Sequence, residues 1–474
     1  MSWSKNSAAA ALESMQSTEP TSDFILHADP TTKAIAMTST LVSPTATPAA
    51  DLLRHRHFPV VVIGGGQAGL SMSYCLKKKN ITHLVIEKNC IGHAWRNERW
   101  DSFCLVTPNW QCTLPGFTYS GNDPAGFMLK DDIVAYLQGY AASFAPPIVE
   151  NVAVESVARN ALGQLDVRTS HGAVTADHVV VAVGGYHIPI VPALAAKLPA
   201  HIAQIQSGDY RNPHSLSDGA VLIVGTGQSG CQLAEDLHLA GRKVHLCVGD
   251  APRVARRYRG KDVVDWLDQM KYYDLPVDQH PLGKGVREKT NHYVTGRDGG
   301  RDIDLRQFAL EGMQLYGRLE NIDGGVAQFD NKLKTYLDNA DAASENIKNS
   351  IDKFIAQQNL DAPAEARYQP VWQPPANAPS SLNLATSQIT TVIWCVGFRT
   401  DFSWIDLPVF DQRGYPQHDR GVTTDPALSF LGLPWQYSWG SGRFSGVGRD
   451  ADFLAAHIDA QFSAGVGRAE DVAA

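Results

Sequence analysis

The sequence predicts an α/β fold built from two Rossmann-like domains and a helical insertion. Two glycine-rich turns support this prediction, because each follows an apolar strand and opens a helix: GGGQAG at 64–69 and GTGQSG at 225–230. A third observation is the length of 474 residues, which allows two or three domains with full hydrophobic cores. Two copies of one strand–turn–helix unit in a single chain make a chance match improbable.

The first glycine turn has the features of a dinucleotide-binding fingerprint. The run PVVVI predicts a buried strand, and AGLSMSYCLKKK predicts the helix after the turn. In such units the first glycine permits the tight turn, and the second lets a pyrophosphate approach the backbone. The third lets helix and strand pack closely. The predicted cofactor-binding residues of this turn are Gly64, Gly66, Gln67, Ala68 and Gly69.

An acidic residue ends the second strand of this first unit. Glu87 follows the apolar run HLVI, and its position is close to the roughly 20 residues after the first glycine at which an acid meets a ribose hydroxyl. We therefore predict that Glu87, with the adjacent Lys88, contacts the cofactor.

The second unit differs from the first where its second strand ends. After KVHLCVG comes Asp250, followed by a group of four arginines at 253, 256, 257 and 259. Arginine there suits a ribose 2′-phosphate, which predicts NADPH as the second ligand; a solvated basic loop is the alternative. The predicted residues of this second site are Gly225, Gly227, Gln228, Ser229, Gly230, Arg253, Arg256 and Arg257.

Composition and spacing also predict the domain organisation. Residues 1–56 are rich in Ala, Ser, Thr and Pro and are predicted to form a disordered tail. Residues 57–215 and 389–474 are predicted to form the two parts of the first domain, and 216–388 the second domain. Within the second, the insertion at about 263–384 includes LKTYLDNADAASENIKNSIDKFIAQQ, whose apolar spacing predicts one or two surface helices.

Charge and cysteine usage exclude several classes of protein. The formal net charge is −8 with a pI near 6.0, which argues against binding to nucleic acid or to an anionic membrane. No apolar run is long enough to span a bilayer. The seven cysteines form no CxxC pair, which favours reduced thiols in a cytoplasmic protein and argues against a disulfide reductase. No two histidines have metal-ligand spacing, so no metal site is predicted.

Together these motifs resemble the flavin-containing monooxygenase superfamily, the class B flavoprotein monooxygenases. The resemblance runs from about Phe58 to the last helix and rests on GGGQAG, GTGQSG, VVVAVGGY, VIWCVGF and GVGRDA. The strings DSFCLVTPNWQC and NHYVTGRDGGRDIDLR are similar to a branch of uncharacterised bacterial flavin-dependent oxidoreductases. The resemblance implies that the first fingerprint binds FAD and that the second binds NADPH.

The resemblance also implies further site residues. The loop from Gly442 to Gly448 would place backbone N–H groups near the electron-rich end of the flavin. Asn109 falls where the family has an asparagine beside the flavin, although an ordinary turn-forming asparagine is an equal alternative. Tryptophans 95, 100 and 110 would wall a dry site or belong to the core. The cofactor residues added on this basis are Trp95, Thr107, Gly184, Gly397, Gly446 and Gly448.

The implied activity is that of an NADPH-dependent monooxygenase. In this family NADPH reduces FAD, O₂ adds at flavin C4a as a (hydro)peroxide, and a small organic substrate is oxygenated; Asn109 would hydrogen-bond to the peroxide. An oxidase or reductase that makes H₂O₂ or passes electrons on is an alternative, as is a non-catalytic flavoprotein. N- or S-oxygenation, Baeyer–Villiger oxidation and oxidative decarboxylation all stay open, as do the substrate and the formation of a homo-oligomer.

Overall fold

A large mixed sheet forms one half of the fold in the computed structural model, which describes residues 53–472. Its parallel strands are, in spatial order, Ile148–Val149, His83–Ile86, Arg54–Ile63, Gly172–Val181 and Leu428–Phe430. The sheet continues through Leu165–Thr169, Val154–Arg159 and Ile405–Asp406, and its edge carries Val422–Thr423 and His418–Asp419. The two long central strands place the first glycine turn at the carboxyl edge of this sheet.

The central strand of the first sheet is covered on both faces, which explains its continuous apolar sequence. Val60 and Val62 point into a cluster with helices Gln67–Lys78 and Lys130–Phe144. Val61 and Ile63 point into a separate cluster on the opposite face. Because side chains alternate along a strand, each face receives every second residue of the run.

A second, fully parallel sheet confirms the predicted repeat of the Rossmann-like unit. Its strands are, in spatial order, Ala203–Gln206, Ile389–Trp394, Ala220–Val224, Val244–Cys247 and Gln314–Tyr316. Helix Gln228–Leu239 follows the central strand and begins within the GTGQSG motif. The predicted α/β fold class is therefore confirmed.

The strand pairing differs from the predicted division of the chain at two places. Ala203–Gln206 lies before the predicted start of the second domain at 216, and Ile389–Trp394 lies after its predicted end at 388, yet both belong to the second sheet. The sequence of a buried apolar strand does not indicate which sheet the strand joins, so the assignment depends on its pairing in the tertiary structure. The first sheet also begins earlier than predicted, with Leu53 buried and a strand from Arg54. Residues 1–52 of the predicted tail lie outside the described residues.

The stretch at 263–384 is less helical than predicted. Its helices are Val263–Gln269, Leu305–Leu310 and Leu333–Gln358, the last being a single helix with one buried face. Between and after them lie the edge strand of the second sheet and an antiparallel sheet of Leu319–Asp323, Val326–Phe329 and Ser381–Asn383. Short 3₁₀ turns fill much of the rest: Tyr272–Asp274, Val277–Gln279, Gly283–Glu288 and Arg297–Gly299.

Smaller elements complete the fold and connect the sheets. The remaining helices are His93–Asn97 and Phe444–Val472, with 3₁₀ turns at Asn109–Gln111, Ala193–Lys197 and Pro213–Ser215. Short hairpins pair Thr113–Leu114 with Phe117–Thr118 and Arg257–Tyr258 with Lys261–Asp262. The two crossings between the sheets, Ile188–Pro189 and Phe398–Arg399, pair with each other as an antiparallel ribbon. Within residues 53–472, the helices are all too short or too polar to cross a bilayer.

Candidate active site

A cavity of about 3050 Å³ lies between the two sheets and joins both glycine turns. Gly64, Gly66, Gln67 and Ala68 line it from the first turn. Gly225, Gly227, Gln228 and Ser229 line it from the second. The third glycine of each turn, Gly69 or Gly230, is not part of the lining. The cavity therefore receives the parts of both fingerprints that would contact a ligand.

The glycines of the first turn divide into packing positions and an open position. A Cβ on Gly64, whose φ is +107°, would lie 2.6 Å from the carbonyl oxygen of Ala182. A Cβ on Gly69 would overlap the carbonyl oxygen of Gly64. A Cβ on Gly66 would meet nothing within 4 Å. The fold thus requires glycine at the first and third positions, whereas the middle one leaves space that a pyrophosphate can occupy.

The second turn repeats this division. A Cβ on Gly225, whose φ is +105°, would lie 2.6 Å from the carbonyl oxygen of Cys395, and one on Gly230 would overlap that of Gly225. A Cβ on Gly227 would meet only the Thr290 methyl group, at an ordinary contact distance of 3.7 Å. The same open middle position at the start of helix Gln228–Leu239 leaves space in which a second phosphate would fit, so we call each of these two turns a phosphate cradle.

Glu87 is held in place at the end of the second strand of the first unit. The Gly65 N–H donates to Glu87 Oε2 at 2.6 Å, and the Asn89 N–H donates to Oε1 at 2.8 Å. Both Glu87 and Lys88 line the cavity. The carboxylate thus lies beside the first phosphate cradle, where the ribose of a dinucleotide would reach it.

The other predicted lining residues divide between the walls of the cavity and the core. Trp95, Thr107, Gly184 and Gly397 all line the cavity, and the two glycines have left-handed backbones with φ of +77° and +99°. These two glycines stand beside the paired crossings between the sheets. Of the other two predicted tryptophans, Trp100 belongs to the core and also touches the cavity. Trp110 is not part of the lining.

Gly446 and Gly448 are packing glycines, and their role in cofactor binding stays a prediction. Helix Phe444–Val472 already begins before them. A Cβ on Gly446 would overlap the backbone of Gly440, and one on Gly448 would lie 2.9 Å from the Pro115 ring. The part of the loop that does line the cavity is the stretch 442–445. Because both glycines face protein atoms, the GVGRDA motif is a place where the start of this helix packs closely against neighbouring segments.

Asn109 is bonded to a neighbouring loop at both ends of its amide, and its catalytic role stays a prediction. Its side-chain N–H donates to the carbonyl of Asp123 at 2.9 Å, and its Oδ1 accepts from the Met128 N–H at 2.8 Å. Both ends of the amide are therefore used to fix the loop at 123–128, and Asn109 is absent from the cavity lining. The turn-forming alternative is the one that the structure supports.

Gln111, two residues further on, is the amide that reaches the cavity. Its residue is only 3% exposed, and its Oε1 has no hydrogen-bond partner within the described part of the chain. A buried unpaired carbonyl oxygen costs free energy of about 1–3 kcal/mol unless a ligand or water satisfies it. Sequence reasoning missed Gln111 because it relied on the family position of Asn109 within the same string.

The predicted phosphate-binding arginines are engaged elsewhere. Arg253 is 4% exposed, and its Nε forms an ion pair with Asp341 at 2.7 Å. Arg256 touches the cavity, but its guanidinium is held by Asp262 at 2.6 Å. Arg257 donates to the Gly299 carbonyl and does not line the cavity. Arg253 and Arg256 are thus paired with carboxylates and Arg257 contacts only a backbone carbonyl, and the role of these three residues in nucleotide binding stays a prediction.

A different arginine lies at the carboxyl end of the strand Val244–Cys247. Arg318 lines the cavity, its side chain is 52% exposed, and it forms an ion pair with Asp250. It follows the neighbouring strand Gln314–Tyr316, so the sheet brings it beside the end of the second fingerprint unit. No sequence signal identified Arg318, because it lies far along the chain from the glycine turn.

Comparison with known proteins agrees with this architecture. A family model described as pyridine nucleotide-disulphide oxidoreductase matches residues 61–272. An uncharacterized CzcO-like oxidoreductase of Geobacillus kaustophilus is 34% identical over 399 residues, covering 83% of this chain and 96% of the relative. The indole-3-pyruvate monooxygenase YUCCA6 of Arabidopsis thaliana is 31% identical over 205 residues, which cover 42% of this chain and 49% of that protein.

Solved structures show the same fold. The flavin-containing monooxygenase of Stenotrophomonas maltophilia superposes with a TM-score of 0.58 at 19% identity, covering 86% of this chain and 99% of that one. The bacillithiol disulfide reductase of Staphylococcus aureus superposes with a TM-score of 0.55 at 12% identity, with the same coverage. From the near-full-length relative, the two phosphate cradles and the shared fold, the chain belongs to the CzcO-like oxidoreductases, a flavin-dependent branch related to the flavin monooxygenases.

Proposed function

We propose that this protein is an FAD- and NADPH-dependent monooxygenase that uses O₂ to oxygenate a small organic substrate. The observation that carries the proposal is the single cavity that joins Gly66 and Gly227, the open glycines of the two phosphate cradles. Two dinucleotides bound at those cradles would share this one cavity, which would bring them close enough for electron transfer. Similarity to an indole-3-pyruvate monooxygenase over part of the chain supports the same class of reaction.

The first cradle fits FAD. Gly66 and the start of helix Gln67–Lys78 would hold the pyrophosphate, and Glu87 would accept hydrogen bonds from the adenosine ribose. FMN lacks that ribose, so the position of Glu87 favours the dinucleotide. When bound, FAD supplies two-electron transfer and reaction with O₂, which the protein's own side chains cannot perform.

The second cradle fits NADPH, with Arg318 in the role that the sequence assigned to other arginines. Gly227, Gln228 and Ser229 would receive the pyrophosphate. The half-exposed Arg318 would pair with the 2′-phosphate, while Asp250 beside it resembles the acid that binds an unphosphorylated ribose. At this strand end Asp250 would favour a ribose hydroxyl and Arg318 would favour a 2′-phosphate. The preference for NADPH over NADH would therefore depend on the Arg318 guanidinium.

Aromatic rings form part of the cavity wall and would position a ligand. Trp95 stacks on Phe444 with ring centroids 5.9 Å apart, and Trp100 packs edge-on against Phe103 at 4.9 Å. These rings form an apolar surface beside the first cradle. Gln111 also belongs to this wall, and its Oε1 is buried without a hydrogen-bond partner in the described part of the chain.

A thiol-based reductase, which the family model's description would also allow, lacks the necessary pair of thiols. Cys90 and Cys395 are the cysteines that line the cavity in the described part of the chain, and they are far apart in sequence. Burial raises the pKa of the Cys395 thiol to about 12, so this thiol stays protonated and unreactive at neutral pH. The monooxygenase proposal requires no cysteine chemistry.

The proposal is tested by following where the electrons of NADPH go. The purified protein is expected to release FAD on denaturation, to oxidise NADPH faster than NADH, and to couple O₂ uptake to an oxygenated product with at least one amine, sulfide, ketone or 2-oxo acid. Product and H₂O₂ are measured in the same reactions. Conversion of all consumed O₂ into H₂O₂ with every compound tried would favour an oxidase and refute the monooxygenase assignment.

A further inference from the structure

Arg443 presents a positive charge to the cavity without a carboxylate partner. One of its N–H groups donates to the Trp439 carbonyl at 2.6 Å, and another donates to Asn291 Oδ1 at 3.2 Å. Its guanidinium lies 3.6 Å from the centre of the Trp439 ring. Since a guanidinium has five N–H donors, these contacts leave three available. No acidic group lies within 4 Å of it among residues 53–472.

Arg99 is a second guanidinium of the same kind. Its side chain donates to the Glu98 carbonyl at 2.7 Å and lies 5.2 Å from the Trp95 ring centre, again with no ion-pair partner in the described chain. Trp95 in turn stacks on Phe444, the residue next to Arg443. Arg99 and Arg443 both line the cavity, and the stacked rings of Trp95 and Phe444 lie between their positions in the fold.

These two arginines contrast with the fully buried arginines of the protein. Arg253, Arg256 and Arg306 each form an ion pair with an aspartate at 2.9 Å or less. An isolated charge taken out of water is costly, and proteins normally pair it. Desolvation lowers the pKa of both Arg99 and Arg443; the Glu98 carboxylate offsets part of this effect at Arg99, whereas no carboxylate does so at Arg443. A bound anion would supply the missing compensation.

We propose that Arg443 and Arg99 bind the carboxylate of the substrate, so that the enzyme acts on organic acids with a flat apolar group. This inference rests on the proposed function, since it names the substrate class of that cavity. Guanidinium groups pair with carboxylates through two parallel hydrogen bonds, and Arg443 has the free donors to form them. A net charge of −8 on the whole chain gives no general reason for cations here.

The walls around the two arginines favour an aromatic or otherwise planar body on that acid. Trp439 packs against Tyr273 with ring centroids 4.4 Å apart, and Tyr272 lines the cavity beside them. On the other side Trp95 presents its indole. A carboxylate held between the guanidiniums would leave its apolar part against these rings, where burial of flat aromatic surface is favourable.

The test compares benzoate with benzamide, which has nearly the same shape and no charge. Each is titrated into the oxidised protein as purified, without NADPH, and binding is followed by flavin absorbance and by calorimetry. We expect the wild type to bind benzoate at least tenfold more tightly than benzamide. Arg443→Gln and Arg99→Gln should each bring this ratio near one, and Arg443→Lys should keep part of it. Arg449→Gln is the matched control, since Arg449 lies in the helix that begins directly after Arg443, pairs with Asp274 and does not line the cavity.

Three results would overturn the inference. They are equal binding of benzoate and benzamide by the wild type, an unchanged ratio in Arg443→Gln, and loss of bound FAD in Arg443→Gln with the fold intact by circular dichroism. The last would mean that the guanidinium serves the flavin. The titration involves no turnover, so a failure of NADPH-dependent oxygenation refutes the proposed function while leaving the preference for benzoate measurable.

Discussion

The two kinds of glycine in the first turn make a sharp prediction about folding and cofactor binding. Gly66→Val should give a folded protein without FAD, because a Cβ at this position meets no protein atom within 4 Å and enters the cradle instead. The backbone at Gly66, with φ −77° and ψ −172°, is open to any residue. Gly69→Ala should instead fail to fold, since its Cβ would overlap the Gly64 carbonyl oxygen.

The size of the effect follows from the groups that the valine would block. Loss of two charge-assisted hydrogen bonds from backbone N–H to phosphate would cost about 3–6 kcal/mol, which raises the FAD dissociation constant by roughly 10² to 10⁴. The stability of the flavin-free protein should change by less than about 1 kcal/mol, because no packing contact is made or lost at Gly66.

The assay measures flavin content by absorbance after gel filtration and stability by urea denaturation of deflavinated protein. Gly227→Val is the matched control, because Gly227 occupies the equivalent open position of the second turn. It should retain FAD and lose NADPH-dependent reduction. A Gly66→Val protein that is folded and carries a full complement of FAD would refute the assignment of the first cradle.

Three further predictions concern side chains whose contacts in the structure differ from those that the sequence led us to expect. Arg318→Ala should lower kcat/KM for NADPH relative to NADH by roughly tenfold or more, because a guanidinium–phosphate pair is lost. The control Arg257→Ala should change this ratio by less than about twofold. Equal effects of the two substitutions in stopped-flow reduction would contradict the assignment of Arg318 to the 2′-phosphate. Asn109→Leu should lower the free energy of unfolding by about 2–4 kcal/mol, since two backbone groups lose their partners, without raising the share of H₂O₂ per NADPH; raised H₂O₂ in a stable variant would restore a catalytic role. Asp341→Asn should cost about 3–5 kcal/mol by leaving Arg253 buried and unpaired, and a changed KM for NADPH in its folded fraction would show that Arg253 also serves the nucleotide.

Local sequence determined the two fingerprint units. In GGGQAG and GTGQSG, the strand, the turn and the helix are adjacent in the chain, so the roles of their glycines follow from spacing alone. Glu87 could be predicted for the same reason, because it ends the strand that pairs directly with the first one. The fold class follows from these units, since a repeated strand–turn–helix pattern has few ways to bury its apolar faces.

The tertiary structure alone decided where charges and amides point. The position of Arg253 in the sequence suits a phosphate ligand, but in the fold its guanidinium forms an ion pair with Asp341 of the insertion. Asn109 and Gln111 stand two residues apart in one short turn, and only the packing of the loop at 123–128 decides which amide reaches the cavity. Arg318 comes to the second cradle through strand pairing. Each outcome depends on a partner distant in sequence, and spacing within a motif cannot encode such a partner.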